Sequence, residues 1–202
     1  MASAIKINGL TTVINELKAT PAKVRRAQRN AVGVSITYAS KKIINTVNRE
    51  TGLAKKEIRN RLIITRPRQG EVTGSIRASD VPIPLVLYGP RIHKVSRTRA
   101  SVTVKTDIGK PARKRSSVFV NPQFRSGKIL MRRTGKKNHI PSRGRYAGKR
   151  REKTGTPHGP ALSIHVDQLL NDGLLNDVGE FFVNAFQQKL KAQLSGPGRR
   201  RR

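Results

Sequence analysis

The chain has no cysteine and no tryptophan, and only 4% of its 202 residues are aromatic. Without cysteine there is no disulfide framework, no cysteine-bearing zinc finger and no thiolate nucleophile, a composition that suits a reducing compartment. Acids are also scarce, with 11 Asp+Glu against 43 Lys+Arg. Carboxylates this sparse offer no evident pair for general acid–base or two-metal chemistry. The four histidines, His93, His139, His158 and His165, are scattered, and none has a partner at metal-ligand spacing. No nucleophile elbow, Walker-type loop or dinucleotide fingerprint occurs. No apolar run approaches the roughly 20 residues of a membrane span, and the opening MASAIKINGL has neither the charged nor the apolar region of a signal peptide. The expectation is a chain that is not an enzyme, needs no cofactor or metal, and stays out of the membrane.

What the chain does have is positive charge, +32 at neutral pH. Self-repulsion at that density opposes compaction unless counter-charge is near. The usual source of counter-charge is a phosphate backbone, which binds cations through counterion release. The charge is also uneven. From Val81 to Arg150 there are 19 Lys+Arg and one acid, Asp107, whereas from His165 to Leu194 there are four acids and two lysines. The four terminal residues are all arginine.

Periodicity places the elements. Leu10, Val13, Ile14 and Leu17 predict a helix over Gly9 to Ala19. Thr20 as N-cap and Pro21 at the first helical position start a second helix that runs to about Arg49. Its expected packing face is Ala27, Ala31, Val34 and Tyr38, continued by Ile43, Ile44 and Val47. Leu53 to Ile64 reads as a third helix, with Leu53, Ile58 and Leu62 inward. Short strands follow. Val81 to Tyr88 holds Pro82 and Pro84 and so is an edge strand or extended segment. Ser101 to Asp107 alternates, with Val102 and Val104 on one face. Ser117 to Val120 and Lys128 to Arg133 are further strands, and Ala161, Leu162 and Ile164 suggest a last extended piece. A final helix is expected from about Leu174 to Leu194, with the stripe Val178, Phe181, Phe182, Phe186 and Leu190 as core or subunit interface. The fold class is α+β: N-terminal helices, a small and mostly antiparallel sheet, a C-terminal amphipathic helix and a long basic loop. The expected organisation is one domain over 1–196 with a basic loop insertion at about 134–157, then a basic tail at 197–202.

Two cation clusters are the candidate sites. One is in and beside the loop: Arg132, Arg133, Lys136, Lys137, Arg143, Arg145, Lys149, Arg150 and Arg151. The other is the tail, Arg199, Arg200, Arg201 and Arg202. Arginine suits bidentate phosphate contact and lysine acts as a point charge. With Tyr146 the one aromatic in either cluster, base stacking is not the expected mode, and contact with the DNA backbone is. The competing reading of the loop is contact with an acidic protein or a neighbouring subunit, and of the tail a flexible end.

Several blocks occur in an order that resembles the prophage minor tail protein Z family, the tail-completion proteins of lambda-like long-tailed phages. They are INGLTTVINEL (7–17), RAQRNAVGVSITYASKKI (26–43), NRETGLAKKEIRNRL (48–62), Pro82-Ile83-Pro84-Leu85, FVNPQFRSGKILMRRTGKKNHIP (119–141), GPALSI (159–164) and AFQQKL (185–190). The resemblance implies a structural virion protein at the head-proximal end of the tail, assembled in the host cytoplasm. Its implied partners are the tail terminator and tail tube proteins, the head connector and the phage double-stranded DNA, with a homo-oligomeric ring, six copies by analogy, around the channel. The stretch 143–157 and the terminal arginines depart from the family pattern. The alternative is a ribosomal or other RNA-scaffold protein, which would share the charge, the lack of cysteine and the basic extensions.

Overall fold

The computed structural model describes residues 4–6, 22–94, 100–115, 118–120, 130–133, 148 and 154–194. Within them the chain is mixed α+β, with helices, small antiparallel sheets and a C-terminal helix. The residues group into two compact units, one drawn from 1–46, 58–80 and 162–202, the other from 47–57 and 81–161. The predicted helix over Gly9 to Ala19 lies outside the described residues.

The first unit holds strand β1 (Ala4–Lys6) and most of helix α1 (Ala22–Thr51). Helix α1 buries two adjacent rows of side chains. Ala27, Ala31, Ser35 and Ala39 recur every four residues, and Val32, Ile36 and Ile43 run beside them, all essentially inaccessible. Small residues in one row and branched ones in the next let neighbouring elements approach closely while filling the gaps between turns. The expected face of Ala27, Ala31, Val34 and Tyr38 is therefore half right. The stripe turns toward Ser35 and Ile36, leaving Val34 39% exposed and Tyr38 at the margin. Marginal Tyr38 still has a role, since its ring stacks on Phe181 with centroids 4.2 Å apart and planes 4° from parallel. One turn along each helix, Lys42 pairs with Asp177. The stack and the ion pair fix the register of α1 against the last helix. Both members of the ion pair are substantially exposed, so its share of the stability is small.

After the short helix α2 (Lys55–Asn60) the chain enters strand β2 (Leu62–Thr65), which pairs antiparallel with β3 (Ser75–Ala78). The predicted third helix thus stops four residues early. Leu53, Ile58 and Leu62 are buried as expected, but Ile63-Ile64-Thr65 is a β-branched run whose stiff χ1 angles favour a pleated strand over another helical turn. The sheet order is β1-β3-β2, so β2 is an edge. Leu62 and Ile64 face the same way as Ala78 and Ile76, and Ile63 shares the other face with Arg77. Ile63 is 63% exposed.

The C-terminal part of this unit is a helix pair. The expected extended piece at Leu162 and Ile164 is instead helix α3 (Leu162–Leu169), with Leu162, Val166 and Leu169 buried at helical spacing. Ser163 donates its amide to the Ser79 carbonyl, tying the start of α3 to the end of β3. A π-type turn (Leu170–Leu174) then leads into α4 (Leu175–Leu194). The kink falls at Gly173, whose φ of 92° only glycine adopts without strain. Of the predicted stripe, Val178 is buried, and Phe181, Phe182, Phe186 and Leu190 are half-buried. Ala185, at the same helical spacing, is buried between them.

The second unit begins with the last turn of α1. Gly52, at φ 74°, closes it by donating its amide to the Asn48 carbonyl at 2.9 Å. The Asn48 amide donates to the Leu53 carbonyl at 2.7 Å and the Thr51 hydroxyl to the Val47 carbonyl at 2.7 Å. The rest is small sheets. Strand β4 (Pro82–Pro84) is followed by a 3₁₀ turn (Leu85–Tyr88) and pairs with β11 (His158–Ala161). Two prolines in three residues confine it to this single pairing. Strands β5 (Arg91–Lys94), β6 (Ala100–Val104) and β7 (Arg113–Arg115) form one antiparallel sheet. Strands β8 (Val118–Val120), β9 (Leu130–Arg133) and β10 (Thr154–Gly155) form another, in the order β10-β9-β8. Val102, Val104, Val118 and Leu130 carry the apolar packing.

Lys105 reaches Glu50 at 3.0 Å in this unit. Its hydrogen bond and charge hold the Glu50 carboxyl below the ordinary value of 4.5. A lowered acid stabilises the fold above its unfolded-state pKa and loses that contribution as pH falls through the folded value. Lys105→Met is expected to move the Glu50 midpoint upward in a side-chain NMR titration. An unchanged midpoint would show that the pair does not form.

Candidate nucleic-acid interface

Antiparallel pairing puts directly opposed residues on one face of a sheet. In β5-β6-β7, Arg91 lies opposite Thr103 and Thr103 opposite Lys114. His93 lies opposite Ser101. One face of the sheet therefore carries Arg91, His93, Thr103 and Lys114, each polar or cationic. The opposite face carries Val102 and Val104 into the interior, with Arg113 and Arg115 beside them on β7. All three residues of β7 are exposed, so this edge strand offers cations to both sides. Arg91 and Lys114 stand two strand spacings apart, roughly 9–10 Å at the backbone.

The cations of this sheet are not all equivalent. Lys105 is engaged with Glu50. Arg115 donates to the Thr106 hydroxyl at 3.5 Å, and that hydroxyl in turn lies 3.5 Å from an Asp107 carboxylate oxygen. The side chains of Arg91, Arg113 and Lys114 have no ion pair or hydrogen bond among the described residues. Arg91 and Lys114 share one face and Arg113 stands on the other, three exposed charges with no carboxylate paired to them among the described residues. Such a patch attracts anions and presents no base-stacking aromatic, which suits contact with a phosphate backbone rather than with unstacked bases.

Of the predicted loop cluster, the described residues include Arg132 and Arg133 on β9. Arg132 is exposed and lies opposite Val118 on β8 and Gly155 on β10. Arg133 lies opposite Thr154. Lys136, Lys137, Arg143, Arg145, Lys149, Arg150, Arg151 and the tail Arg199, Arg200, Arg201 and Arg202 lie outside the described residues. Sequence reading missed the Arg91–Thr103–Lys114 row. Its signal was available only as the triplet Arg113-Lys114-Arg115, since the cross-strand register that aligns Lys114 with Arg91 has no trace in local sequence.

Other chemistry is sparse. Among the described residues no group of three or more His, Cys, Asp or Glu is placed to hold a metal. His165 is fully buried in α3, while His93 and His158 are exposed. Among the described residues no helix is long and apolar enough to cross a membrane.

No family model, curated protein or solved structure matches the chain. The functional reading therefore rests on the sequence blocks and on the surface described above.

Proposed function

We propose that the chain is a non-enzymatic structural virion protein of the minor tail protein Z type. In this reading it is a tail-completion protein at the head-proximal end of the tail that joins tail to head connector and meets the DNA end through basic residues. The ordered blocks between positions 7 and 190 support the assignment to tail completion. The single structural observation that carries the DNA contact is the cationic face of β5-β6-β7, where Arg91 and Lys114 flank Thr103 with no acid opposite either. Copies arranged in a ring, six by analogy, would line a channel with such faces. Attraction would be to the phosphate backbone and indifferent to sequence, as a protein that holds whichever DNA end arrives requires. The half-buried Phe182, which stacks on Phe186 at 6.1 Å, supplies apolar surface suited to a neighbouring copy or a tail protein.

The test is binding of the purified full chain to a labelled DNA duplex across a salt series. A steep negative slope of log affinity against log salt is expected, each phosphate contact adding about −0.9. The variant Arg91→Gln/Arg113→Gln/Lys114→Gln should flatten it by about 2.7 if each side chain holds one phosphate. A slope near zero for the unmodified chain would sink the DNA reading. Co-purification with ribosomes rather than with tails would favour the RNA-scaffold alternative.

A further inference from the structure

The first unit contains a cleft of about 380 Å³ far in sequence from the basic loop. It is lined by Arg29, Asn30 and Gly33 of α1, by Arg66 after β2, and by Lys189 of α4. The half-exposed Val34, left off the buried stripe of α1, is part of its wall. Three cations from three separate segments converge here, and no carboxylate is in the lining. Among the described residues the Arg29, Arg66 and Lys189 side chains make no ion pair or hydrogen bond. Folding has thus assembled like charges that repel one another unless a counter-charge occupies the space between them.

Two features of α1 are hard to explain without such an occupant. First, the helix starts with no acid in its first turn, and Arg25, Arg26 and Arg29 follow at once. Arg26 and Arg29 sit at the i, i+3 spacing where like charges repel. Second, Gly33 lies in the helix interior without a left-handed φ, and a Cβ built there would meet nothing within 4 Å. Packing therefore does not demand glycine, which is a poorer helix former than alanine. What a bare position does allow is close approach of a ligand to the helix backbone. Local rules broken together at one place point to function.

We propose that this cleft seats phosphate groups of a duplex DNA backbone, with the Arg29 and Arg66 guanidinium groups and the Lys189 ammonium as donors, the Asn30 amide beside them and Gly33 leaving room for the phosphate oxygens. The proposal rests on the reading that the chain works against DNA, and it adds a second, built contact in a different unit from the basic sheet. Planar guanidinium forks with a point-charge ammonium are the donor set that phosphate oxygens take.

The experiment compares duplex binding by fluorescence anisotropy for four full-length proteins across a salt series. Arg29→Gln/Arg66→Gln/Lys189→Gln is expected to weaken binding at least tenfold and to flatten the salt slope by about 2.7. The control Lys55→Gln/Arg59→Gln/Arg77→Gln removes the same charge from exposed positions that do not line the cleft and should weaken binding less than threefold. Gly33→Leu changes no charge but fills the cleft, and should weaken binding about tenfold while the helix melts no earlier than in the unmodified chain. Equal losses in the two charge-removal variants, or unchanged binding by Gly33→Leu, would overturn the proposal. A flat salt slope in the unmodified chain would instead overturn the DNA reading itself. Steep binding by the unmodified chain with unaffected cleft variants would remove only the cleft. Tighter binding of an RNA duplex of equal length would overturn the assignment to DNA.

Discussion

Tyr88→Ala is expected to destabilise the chain by about 3–5 kcal/mol, and Tyr88→Phe by only about 1 kcal/mol. Tyr88 ends the 3₁₀ turn after β4 and is 2% exposed. Its ring lies against Gly159 on β11, so closely that a Cβ there would stand 2.7 Å from the ring. Its hydroxyl donates to the Pro160 carbonyl at 2.8 Å. Tyr88 therefore couples the two strands whose prolines leave them few ladder bonds. Pro82, Pro84 and Pro160 have no amide hydrogen to give, and the register slips between His158 and Ala161. Removing the ring opens a cavity that the proline-stiffened strands cannot collapse to fill. Removing only the hydroxyl leaves a carbonyl that water can partly reach, since Pro160 is not fully buried. Denaturant unfolding with an unchanged m-value would read both effects. Equal losses for the two variants would mean that the hydrogen bond, not the packing, holds this corner.

Gly74→Ala is expected to cost about 1–3 kcal/mol by overpacking, and Ile36→Val should rescue much of it. A Cβ on Gly74 would lie 2.1 Å from Cδ1 of Ile36 and 3.0 Å from the Thr65 carbonyl oxygen. Ile36 is fully buried, so Cδ1 has nowhere to swing. Ile36→Val deletes that atom. Alone it should cost about 0.5–1.5 kcal/mol through the void it leaves. Combined, the new methyl occupies the vacated space, and the double variant should lose less than the sum by roughly 0.5–3 kcal/mol. The Thr65 carbonyl remains close, so complete rescue is not expected. Additive losses would place Ile36 and Gly74 out of contact.

The fold class was legible because its signals are local. Helix α1 repeats its buried positions at helical spacing, β6 alternates with Val102 and Val104 inward, and the α4 stripe repeats at helical spacing. Errors arose where local signals compete. Leu62 suits a helix face and a strand face equally, and only the β-branched Ile63-Ile64-Thr65 run tips the balance. Leu162, Val166 and Leu169 follow Gly159-Pro160, which disguised the start of α3 as extended chain. The candidate surface was less legible than the fold. Charge runs announced the loop and tail clusters, but Arg91 and Lys114 are brought together by strand register, and Arg29, Arg66 and Lys189 by tertiary packing. Neither kind of proximity leaves a mark on neighbouring residues.

The exposed side of β2 links the charge of the chain to its behaviour in numbers. Its Ile63 lies on a strand that is a sheet edge among the described residues, between Arg61 and Arg66. An apolar edge of this kind is a template for strand pairing between molecules, and flanking cations are a common guard against it. That guard is electrostatic, and its reach is a Debye length, about 8 Å at physiological ionic strength and about 3 Å at 1 M. A polyanion dense enough to hold the chain also cancels the repulsion that keeps one edge from the next. Under the proposed function, capture and self-association would be two consequences of a single neutralisation.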